Sequence, residues 1–317
     1  MTRHANFKRR VRARAAKTGE SYTAALAHLR QSSPRTLDPA SVRLAVVQSA
    51  ACDDPGDATA LKHCGEGLRE MMRQAHAQGA RLIHFPEGAI CAPGKRRMSS
   101  RGPAEIAEAN WARADWAALG QELDSIAELA RSLGVWAVVG SVHPVPGQQR
   151  PFNSLYVISE HGEIATRYDE RLLSHTKQSY MYAHGSGPAT FTVDGLRFGC
   201  ALGTETHFPE IFTDYESLEV DCVLCSTTGG TCADSAFAAE ALGHAASNAY
   251  WVSLSLHAAH SEMVPSGVAG PEGRWAARCA DNGTPAIALA DITPTAGGPA
   301  RPWRRKLRAE MATSQAQ

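Results

Sequence analysis

Short apolar runs alternate with helix-spaced segments from residue 42 onward, and this alternation limits the possible folds more than any other feature. Residues 42–48 and 81–85 are apolar runs of strand length. Between them, apolar residues recur at helical spacing until Gln78-Gly79, which is typical of an amphipathic helix with a glycine stop. The alternation continues through most of the chain, and shorter hairpin-like strands follow. The pattern predicts an α/β sandwich of two sheets with helices outside.

The remaining helices and strands are predicted from the same kinds of pattern, and the sequence has no internal repeat. Predicted helices cover residues 116–133, 210–217 and 233–249, and predicted strands cover residues 135–142, 153–159, 163–167, 196–202, 220–225, 250–256, 264–268, 275–279 and 285–291.

Length and composition describe an ordinary soluble protein. The 317 residues can form a substantial core, and 44% of them are hydrophobic and 20% charged. No apolar run reaches the ~20 residues that span a bilayer, and the N-terminus lacks the apolar stretch of a secretory signal. We therefore expect a cytoplasmic protein with no membrane contact, with an Arg-rich organelle transit peptide as the alternative. The eight scattered cysteines favour reduced, buried thiols over a disulfide framework.

The N-terminal residues are strongly basic, whereas the rest of the chain is acidic. Residues 1–40 carry nine Lys or Arg against two acidic residues, a net charge of +7 that the remaining residues balance with −7. Two short helices are predicted here, over residues 7–16 and 21–31, before a linker that ends at Pro39. Such an arm could contact an acidic partner, nucleic acid or the protein's own acidic body, and the sequence leaves these three open.

A segment at residues 198–210 has the local pattern of a catalytic turn. An apolar strand leads into a glycine and a polar cluster, and Phe208-Pro209 then begins a helix. This geometry exposes a reactive side chain at the edge of an α/β sheet. The apex position here is Gly203, which has no side chain to expose.

Seven stretches, in this order and at this spacing, resemble the nitrilase (carbon–nitrogen hydrolase) superfamily over residues 42–291. The stretches are residues 44–48 (LAVVQ), 82–88 (LIHFPEG), 153–158 (NSLYVI) with 162–164 (GEI), 168–173 (YDERLL), 199–210 with Phe-Pro-Glu at its end, the alanine-rich helix before 250–254 (YWVSL), and 265–268 (PSGV) with 271–273 (PEG). The resemblance implies a four-layer αββα sandwich that pairs into homodimers or higher homo-oligomers. It also implies cleavage of amides, nitriles or carbamoyl groups without a cofactor. The expected organisation is a basic helical arm and linker over 1–40, the αββα domain over 41–295 and a basic C-terminal tail over 296–317.

The resemblance also implies a catalytic Glu-Lys-Cys triad, of which this sequence keeps one member. A Cys thiolate attacks the C–N carbon, a Glu moves the proton, and a Lys stabilises the developing negative charge. Glu87 matches the general base, but the Lys position holds Glu170 and the Cys position holds Gly203. The second glutamate of the family corresponds to Gln178, and the acidic residue two past the Cys corresponds to Glu205. Glycine cannot attack a carbonyl, so ordinary family hydrolysis is excluded in this register.

The changed positions have an electrostatic consequence. Glu87 and Glu170 are expected to face one another, and two close carboxylates resist joint ionisation, which raises the pKa of one of them. The sequence therefore predicts a pocket shifted toward negative charge, suited to a cationic nitrogenous ligand or a shared proton. Lys177, in the following loop, is a candidate to supply an ammonium group in place of the missing Lys.

Other side chains are candidates for the pocket or for a displaced nucleophile. Cys225 ends a strand near the pocket and is either such a nucleophile or a buried structural thiol. Thr204 offers a hydroxyl, and His207 is either a hydrogen-bonding group of the pocket or a surface residue. Zinc is disfavoured because Cys222, Cys225 and Cys232 lack a second ligand pair, so no metal is predicted.

Three hypotheses for function follow from these residues. The leading one is a ligand-binding pseudoenzyme, or an enzyme with reassigned chemistry, that acts on a small-molecule ligand without a cofactor. The second is an active C–N hydrolase or amide-forming enzyme that uses Cys225 or a hydroxyl as nucleophile. The third is a dimeric platform whose basic arm binds nucleic acid or a protein partner.

Overall fold

The structure is a computed structural model that describes residues 12–13, 16–19, 21–22, 41–229, 236–295 and 300–315. The chain separates into two units, residues 1–38 and 39–317. In the first unit, residues 12–13, 16–18 and 22 are helical. Most of the two helices predicted for the arm, and all of its linker, lie outside the described residues.

The second unit is built on two six-stranded mixed sheets. The first sheet has the strand order β12-β1-β2-β3-β4-β5, with β1, β2 and β3 parallel and the other pairs antiparallel. The second sheet has the order β11-β10-β9-β8-β7-β6, with β7, β8 and β9 parallel. The strands are β1 (Val42–Gln48), β2 (Leu82–His84), β3 (Trp136–His143), β4 (Phe152–Ile158), β5 (Ile164–Asp169), β6 (Thr190–Val193), β7 (Leu196–Leu202), β8 (Cys222–Ser226), β9 (Trp251–Ser255), β10 (Gly267–Ala269), β11 (Trp275–Arg278) and β12 (Ala286–Ile292).

Six α-helices of this unit are described. They are α1 (Ala58–Ala77), α2 (Lys95–Met98), α3 (Trp116–Leu133), α4 (Pro209–Ser217), α5 (Ala236–Asn248) and α6 (Ala300–Gln315). Local sequence explains the ends of the longest ones. The Asp57 side chain accepts hydrogen bonds from two backbone N–H groups in the first turn of α1, and Asp115 does the same for one N–H in α3. Gly134 ends α3 in the left-handed conformation that glycine adopts readily.

Three apolar clusters show that these elements form four layers. Side chains alternate along β1, so that Val42, Leu44 and Val46 point into the cluster between the sheets while Ala45 and Val47 point to the cluster under α1 and α3. The third cluster lies between the second sheet and helices α4 and α5. The αββα sandwich expected from the sequence is therefore confirmed.

Several described elements were not predicted from the sequence, the four-residue helix α2 among them. The short edge strand β6 was missed, as was a π-helical turn at Lys177–Met181. The basic C-terminal segment, expected as a tail, contains α6, whose arginines bind the body of the unit. Arg301, Arg305 and Arg308 all form ion pairs with Glu216, a carboxylate that is 1% exposed. No helix in the described part of the chain is long and apolar enough to cross a membrane.

Candidate functional site

Glu87 lies in a tight turn directly after β2, at the carboxyl end of the parallel strands. The turn packs on Gly140 of β3, where an added Cβ would lie 2.4 Å from the Pro86 carbonyl oxygen and 2.3 Å from the Gly88 nitrogen. Only glycine allows this close backbone approach. The glutamate side chain is buried at 3% exposure and accepts hydrogen bonds from Asn153 at 2.9 Å and from the backbone N–H of Thr228 at 3.1 Å.

The strand that precedes Glu87 is fixed between the two sheets by a buried histidine. The two ring nitrogens of His84 lie 2.9 Å from the Ser253 hydroxyl and 2.8 Å from the Ser226 hydroxyl. Burial lowers the pKa of His84 to about 3, so the ring is neutral. The Ser226 hydroxyl also donates to the Phe85 carbonyl oxygen at 2.8 Å. These contacts hold the backbone next to Glu87 in one position.

Glu170 lies directly after β5 and is fully buried. Its backbone N–H donates to the carbonyl oxygen of Asn153 on β4, which continues the strand pairing by one residue. The Asn153 amide then donates to the Glu170 carboxylate at 2.6 Å as well as to Glu87. One amide thus bridges two carboxylates, which face one another as the sequence predicts.

Lys177 enters the same space from the π-helical turn that follows. Its Nζ donates to both carboxylate oxygens of Glu170, at 2.9 and 2.7 Å, and to Oε1 of Glu87. The side chain is buried at 7% exposure. Lys177 therefore supplies an ammonium group from seven residues beyond the position at which the family resemblance places it.

Gly203 lies beside this ammonium group, in the turn after β7. Its φ is +54°, a conformation that residues with a Cβ adopt at a cost. An added Cβ would lie 2.6 Å from Lys177 Nζ, 2.6 Å from Glu170 Oε1 and 3.3 Å from Glu87 Oε2. The space into which a cysteine side chain would project is therefore filled by the ammonium group and the carboxylates.

The electrostatics of this cluster are strongly coupled. Burial by itself lowers the pKa of Lys177, but the charges of Glu170 and Glu87 outweigh it and raise that pKa above its ordinary value. Burial, opposed by Lys177 and assisted by Glu87, raises the pKa of Glu170 to about 8. If all three groups are ionised, their formal charge is −1. Uptake of one proton by a carboxylate would neutralise the cluster, and a shared proton stays a prediction from the sequence.

The cluster forms the floor of a cavity of about 1080 Å³. Glu87, Asn153, Lys177, Gly203 and Thr204 line its polar end. Apolar contact surface comes from side chains that include Met181, Tyr182 and Phe237. A cavity of this size, with convergent polar groups at one end, is typical of a small-molecule site.

The charge of the described lining differs from the sequence expectation. Five lysines and arginines line the cavity, against the two carboxylates of Asp53 and Glu87. The expectation of an acidic pocket is therefore wrong for the described lining. Lys177 compensates the floor carboxylates, and the mouth of the cavity carries the basic run at 95–97, which was not connected to the site from sequence.

Glu205 stabilises the Gly203 turn through hydrogen bonds, and it does not line the cavity. Its Oε2 accepts from the Tyr168 hydroxyl at 2.6 Å and the Leu202 N–H at 2.8 Å, while Oε1 accepts from the backbone N–H groups of Arg171 and Leu172. Burial raises the pKa of Glu205, against these hydrogen bonds. The residue ties the Gly203 turn to the segment after β5, so it positions Gly203 relative to Glu170.

Three other candidates lie away from the described lining of the cavity. Gln178 is exposed, whereas the preceding Lys177, which begins the π-helical turn, is buried. His207 pairs with Glu240 at 2.7 Å and packs on the Phe237 ring. Cys225 is fully buried on the helix-facing side of β8, and burial raises its pKa well above the ordinary value. The geometry thus does not bring Cys225 to Glu87.

The role of Asn153 was not identified from the sequence. Asn153 begins a stretch that was recognised as a strand and as one of the family-like stretches, but neither pattern shows that its amide bridges two carboxylates. No group of three or more His, Cys, Asp or Glu side chains suited to a metal ion occurs within residues 41–229, 236–295 and 300–315 or the described part of the arm.

Comparisons with known proteins agree with this fold. Residues 43–302 match the family model for carbon-nitrogen hydrolases. No curated protein sequence matches the chain significantly. The solved structures that resemble it include a cysteine-to-alanine mutant of the Nesterenkonia AN1 amidase from the nitrilase superfamily, with a TM-score of 0.69 and 18% identity over 88% of this chain and 99% of the amidase chain.

Two further structures of the same Nesterenkonia amidase contain a covalent adduct and a bound amide, respectively. A glutamate-to-leucine mutant, with a TM-score of 0.69 and 17% identity over 88% of this chain and 99% of that chain, carries the acetamide moiety of fluoroacetamide on its active-site cysteine. The cysteine-to-alanine mutant in complex with butyramide has a TM-score of 0.66 and 18% identity, over 85% of this chain and 99% of that chain. At this identity the structural likeness establishes the fold alone. Together with the match over residues 43–302, it shows that the chain belongs to the carbon-nitrogen hydrolase family.

Proposed function

We propose that this protein binds a small-molecule ligand in its cavity and does not carry out thiol-dependent C–N hydrolysis. The observation that carries the proposal is the position of Lys177 Nζ, which lies 2.6 Å from the point where a Cβ on Gly203 would stand. The position of the family nucleophile has no side chain, and a clamped ammonium group fills the adjacent space.

Lys177 is itself a poor nucleophile in this setting. A nucleophilic amine needs a free lone pair, and the two carboxylates hold the side chain in its protonated form by raising its pKa. All the described polar contacts of its side chain are donor contacts to Glu87 and Glu170. The ammonium group therefore serves as a compensating charge for the two carboxylates and not as a nucleophile.

The charges of Glu170 and Lys177 favour a site with a changed role over a catalytic site that has only lost its reactive residues. The resemblance implies a Lys at position 170 and a Glu at position 178, whereas this chain has Glu170, Gln178 and an inward-facing Lys177. A carboxylate thus stands where the resemblance implies an ammonium group, and an ammonium group enters the site one residue before the position of the implied carboxylate. A buried carboxylate without a partner is costly, so a random loss of the Lys would leave an unstable site. Here each buried charge has a partner.

The rival hypothesis of a displaced nucleophile receives little support from the thiols. Cys225 is separated from the cavity, and Cys91, which lines it, has a raised pKa because of its hydrogen bond to Cys52 and its burial. A thiol with a raised pKa is largely protonated and weakly reactive. The Thr204 hydroxyl donates to the Leu172 carbonyl oxygen at 2.9 Å and is not paired with Glu87.

Intact-mass spectrometry with fluoroacetamide tests the proposal. Reaction joins a cysteine sulfur to the carbon that loses fluoride, so each event adds one acetamide group to the protein. We expect no adduct on a cavity residue of the native protein, with the urea-unfolded protein as the control for intrinsic thiol reactivity. Peptide mapping then assigns any adduct. Modification of Cys225 or Cys91 in the folded protein at a rate above that in the unfolded protein would contradict the proposal.

A set of variants tests the residue correspondence on which the proposal depends. Gly203→Cys introduces the thiol, and Glu170→Lys with Lys177→Glu exchanges the two charges. We expect Gly203→Cys alone to remain unreactive because Lys177 occupies the adjacent space. The triple variant is expected to react with fluoroacetamide at residue 203. An equal reaction in the single and triple variants would show that Lys177 does not block the position.

A further inference from the structure

The mouth of the cavity carries a group of basic side chains, Lys95, Arg96 and Arg113, here named the basic rim. All three line the cavity. Arg96 donates to the carbonyl oxygens of Pro103 and Ala104, at 3.2 and 2.9 Å, and Arg113 donates to the carbonyl oxygen of Arg97 at 2.8 Å. These hydrogen bonds orient the guanidinium groups but leave their charges without a carboxylate. Within the described residues, none of the three forms an ion pair with a carboxylate.

The neighbouring Arg97, which is not part of the basic rim, has carboxylate partners. It pairs with Asp53 at 3.3 Å and with Asp54 at 3.2 Å. The acidic residues at the mouth are therefore engaged by Arg97, and the basic rim keeps its charge. A cluster of cations that has no carboxylate partner among the described residues, at the entrance of a cavity, favours a negatively charged group of a ligand.

Lys95 is the rim residue that is electrostatically linked to the floor. Its side chain is exposed at the mouth, and the surrounding protein displaces part of its water, which together with the charge of Lys177 lowers its pKa. Glu87 and Glu170 act on it in the opposite direction. A lysine whose ammonium group is only partly hydrated, and has no described partner, gains more from an added anion than a fully solvated one does.

We propose that the basic rim recognises an oxyanion group, a carboxylate or a phosphate, on a small organic ligand whose other end contacts the Glu87–Lys177 floor. The cavity then has two ends of different character. The mouth offers positive charge, and the floor offers the Lys177 ammonium group and the Glu87 carboxylate, which are already paired with each other. This ligand class rests on the proposed non-covalent binding function, and it replaces the cationic ligand expected from sequence.

Titration calorimetry with a matched ligand panel tests this inference. The panel is benzoate, phenyl phosphate, the neutral isostere benzamide and the cation benzylamine, each titrated into the full-length protein. We expect the anions to bind at least about tenfold more tightly than benzamide, and benzylamine to bind more weakly still. Comparison of benzoate with phenyl phosphate then shows which of the two oxyanions fits the rim better.

Substitutions locate the effect on the rim. Lys95→Gln and Arg96→Gln are expected to lower anion affinity by about tenfold each while benzamide affinity stays unchanged. Lys62→Gln is the matched control, because Lys62 is an exposed lysine on α1 that does not line the cavity. Raised salt is expected to weaken anion binding in the native protein and to have less effect in the Lys95→Gln variant.

The results also separate this inference from the proposed function. Three results would each overturn the ligand class. They are failure of both anions to bind, tighter binding of benzamide or benzylamine than of the anions, and equal losses of anion affinity in Lys95→Gln and Lys62→Gln. None of these three results involves a covalent adduct, so none of them tests the proposed function. Fluoroacetamide modification of a cavity cysteine overturns the proposed function whichever panel member binds.

Discussion

Replacement of Lys177 by methionine removes the charge that compensates two buried carboxylates. Lys177 makes three charged hydrogen-bond contacts, two to Glu170 and one to Glu87, and it is 7% exposed. Methionine has a similar length and no charge, so packing changes little. Glu170, at 0% exposure, would keep Asn153 as its described side-chain donor. Breaking a buried ion pair from one side costs about 3–5 kcal/mol.

The free energy of unfolding of the Lys177→Met variant is therefore expected to fall by about 3–5 kcal/mol, and its melting temperature by roughly 5–8 °C for a chain of this length. Urea unfolding followed by circular dichroism measures the former, and Lys62→Met is the control, with an expected change within about 0.5 kcal/mol. Adding Glu170→Gln to Lys177→Met is expected to recover part of the loss, because one of the two facing charges disappears.

The loss should also depend on pH in a defined direction. Without Lys177, burial and the charge of Glu87 keep the pKa of Glu170 above its value in the unfolded chain, so the folded variant binds more protons than the unfolded one. Its stability then rises as pH falls through that window, and the loss is smaller at about pH 5 than at about pH 9. A loss below about 1 kcal/mol, or a double variant no more stable than Lys177→Met alone, would refute the described cluster.

Three further predictions concern the floor and the C-terminal helix. Gly203→Ala is expected to destabilise the fold by about 1–3 kcal/mol, because the residue has a positive φ and its added Cβ contacts Lys177. The same substitution should cost less when it is made in a Lys177→Ala background, and thermal unfolding of the four proteins measures both costs. In the native protein the raised pKa of Glu170 means that stability falls as pH rises from ~4.5 to ~8, since the folded state holds the extra proton; urea unfolding across this range should show a steeper slope than in Glu170→Gln, and equal slopes would contradict the assignment. Glu216→Ala leaves three arginines of α6 without their shared carboxylate, so a loss of about 3 kcal/mol and faster proteolysis within α6 are expected; unchanged cleavage would show that Glu216 does not hold the helix.

Much of the fold follows from patterns that survive in a single sequence. The strand β7 ends at Leu202 and the helix α3 covers Trp116–Leu133 as predicted, because uninterrupted apolar periodicity and clear stop signals define both. The short edge strand β6 has only four residues, too few for a period to be recognised. The helix α6 was missed although Trp303, Leu307 and Met311 recur at helical spacing; in the structure these side chains are exposed, and arginine–carboxylate contacts attach the helix to the body.

The site was predictable only in part, for reasons that are local. Strand ends place Glu87 and Glu170 at one edge of a sheet, so their mutual approach follows from the sequence pattern. Lys177 begins a π-helical turn and is buried, whereas Gln178 is exposed. Apolar periodicity carries no signal for a π-helical turn. Two residues of the basic rim, Lys95 and Arg96, stand in a basic run at 95–97 of the sequence, but only the three-dimensional structure connects them and Arg113 to the cavity. The homodimer, the cytoplasmic location and the role of the basic arm stay predictions.

The position of the Lys177 ammonium group is the central claim, and an experimental electron-density map at neutral pH tests it most directly. The account predicts continuous density that places Lys177 Nζ within hydrogen-bond distance of both Glu87 and Glu170, beside a left-handed Gly203, with Asn153 bridging the two carboxylates. A map in which Lys177 points away from Gly203 into solvent, and leaves an open space beside that residue, would contradict it.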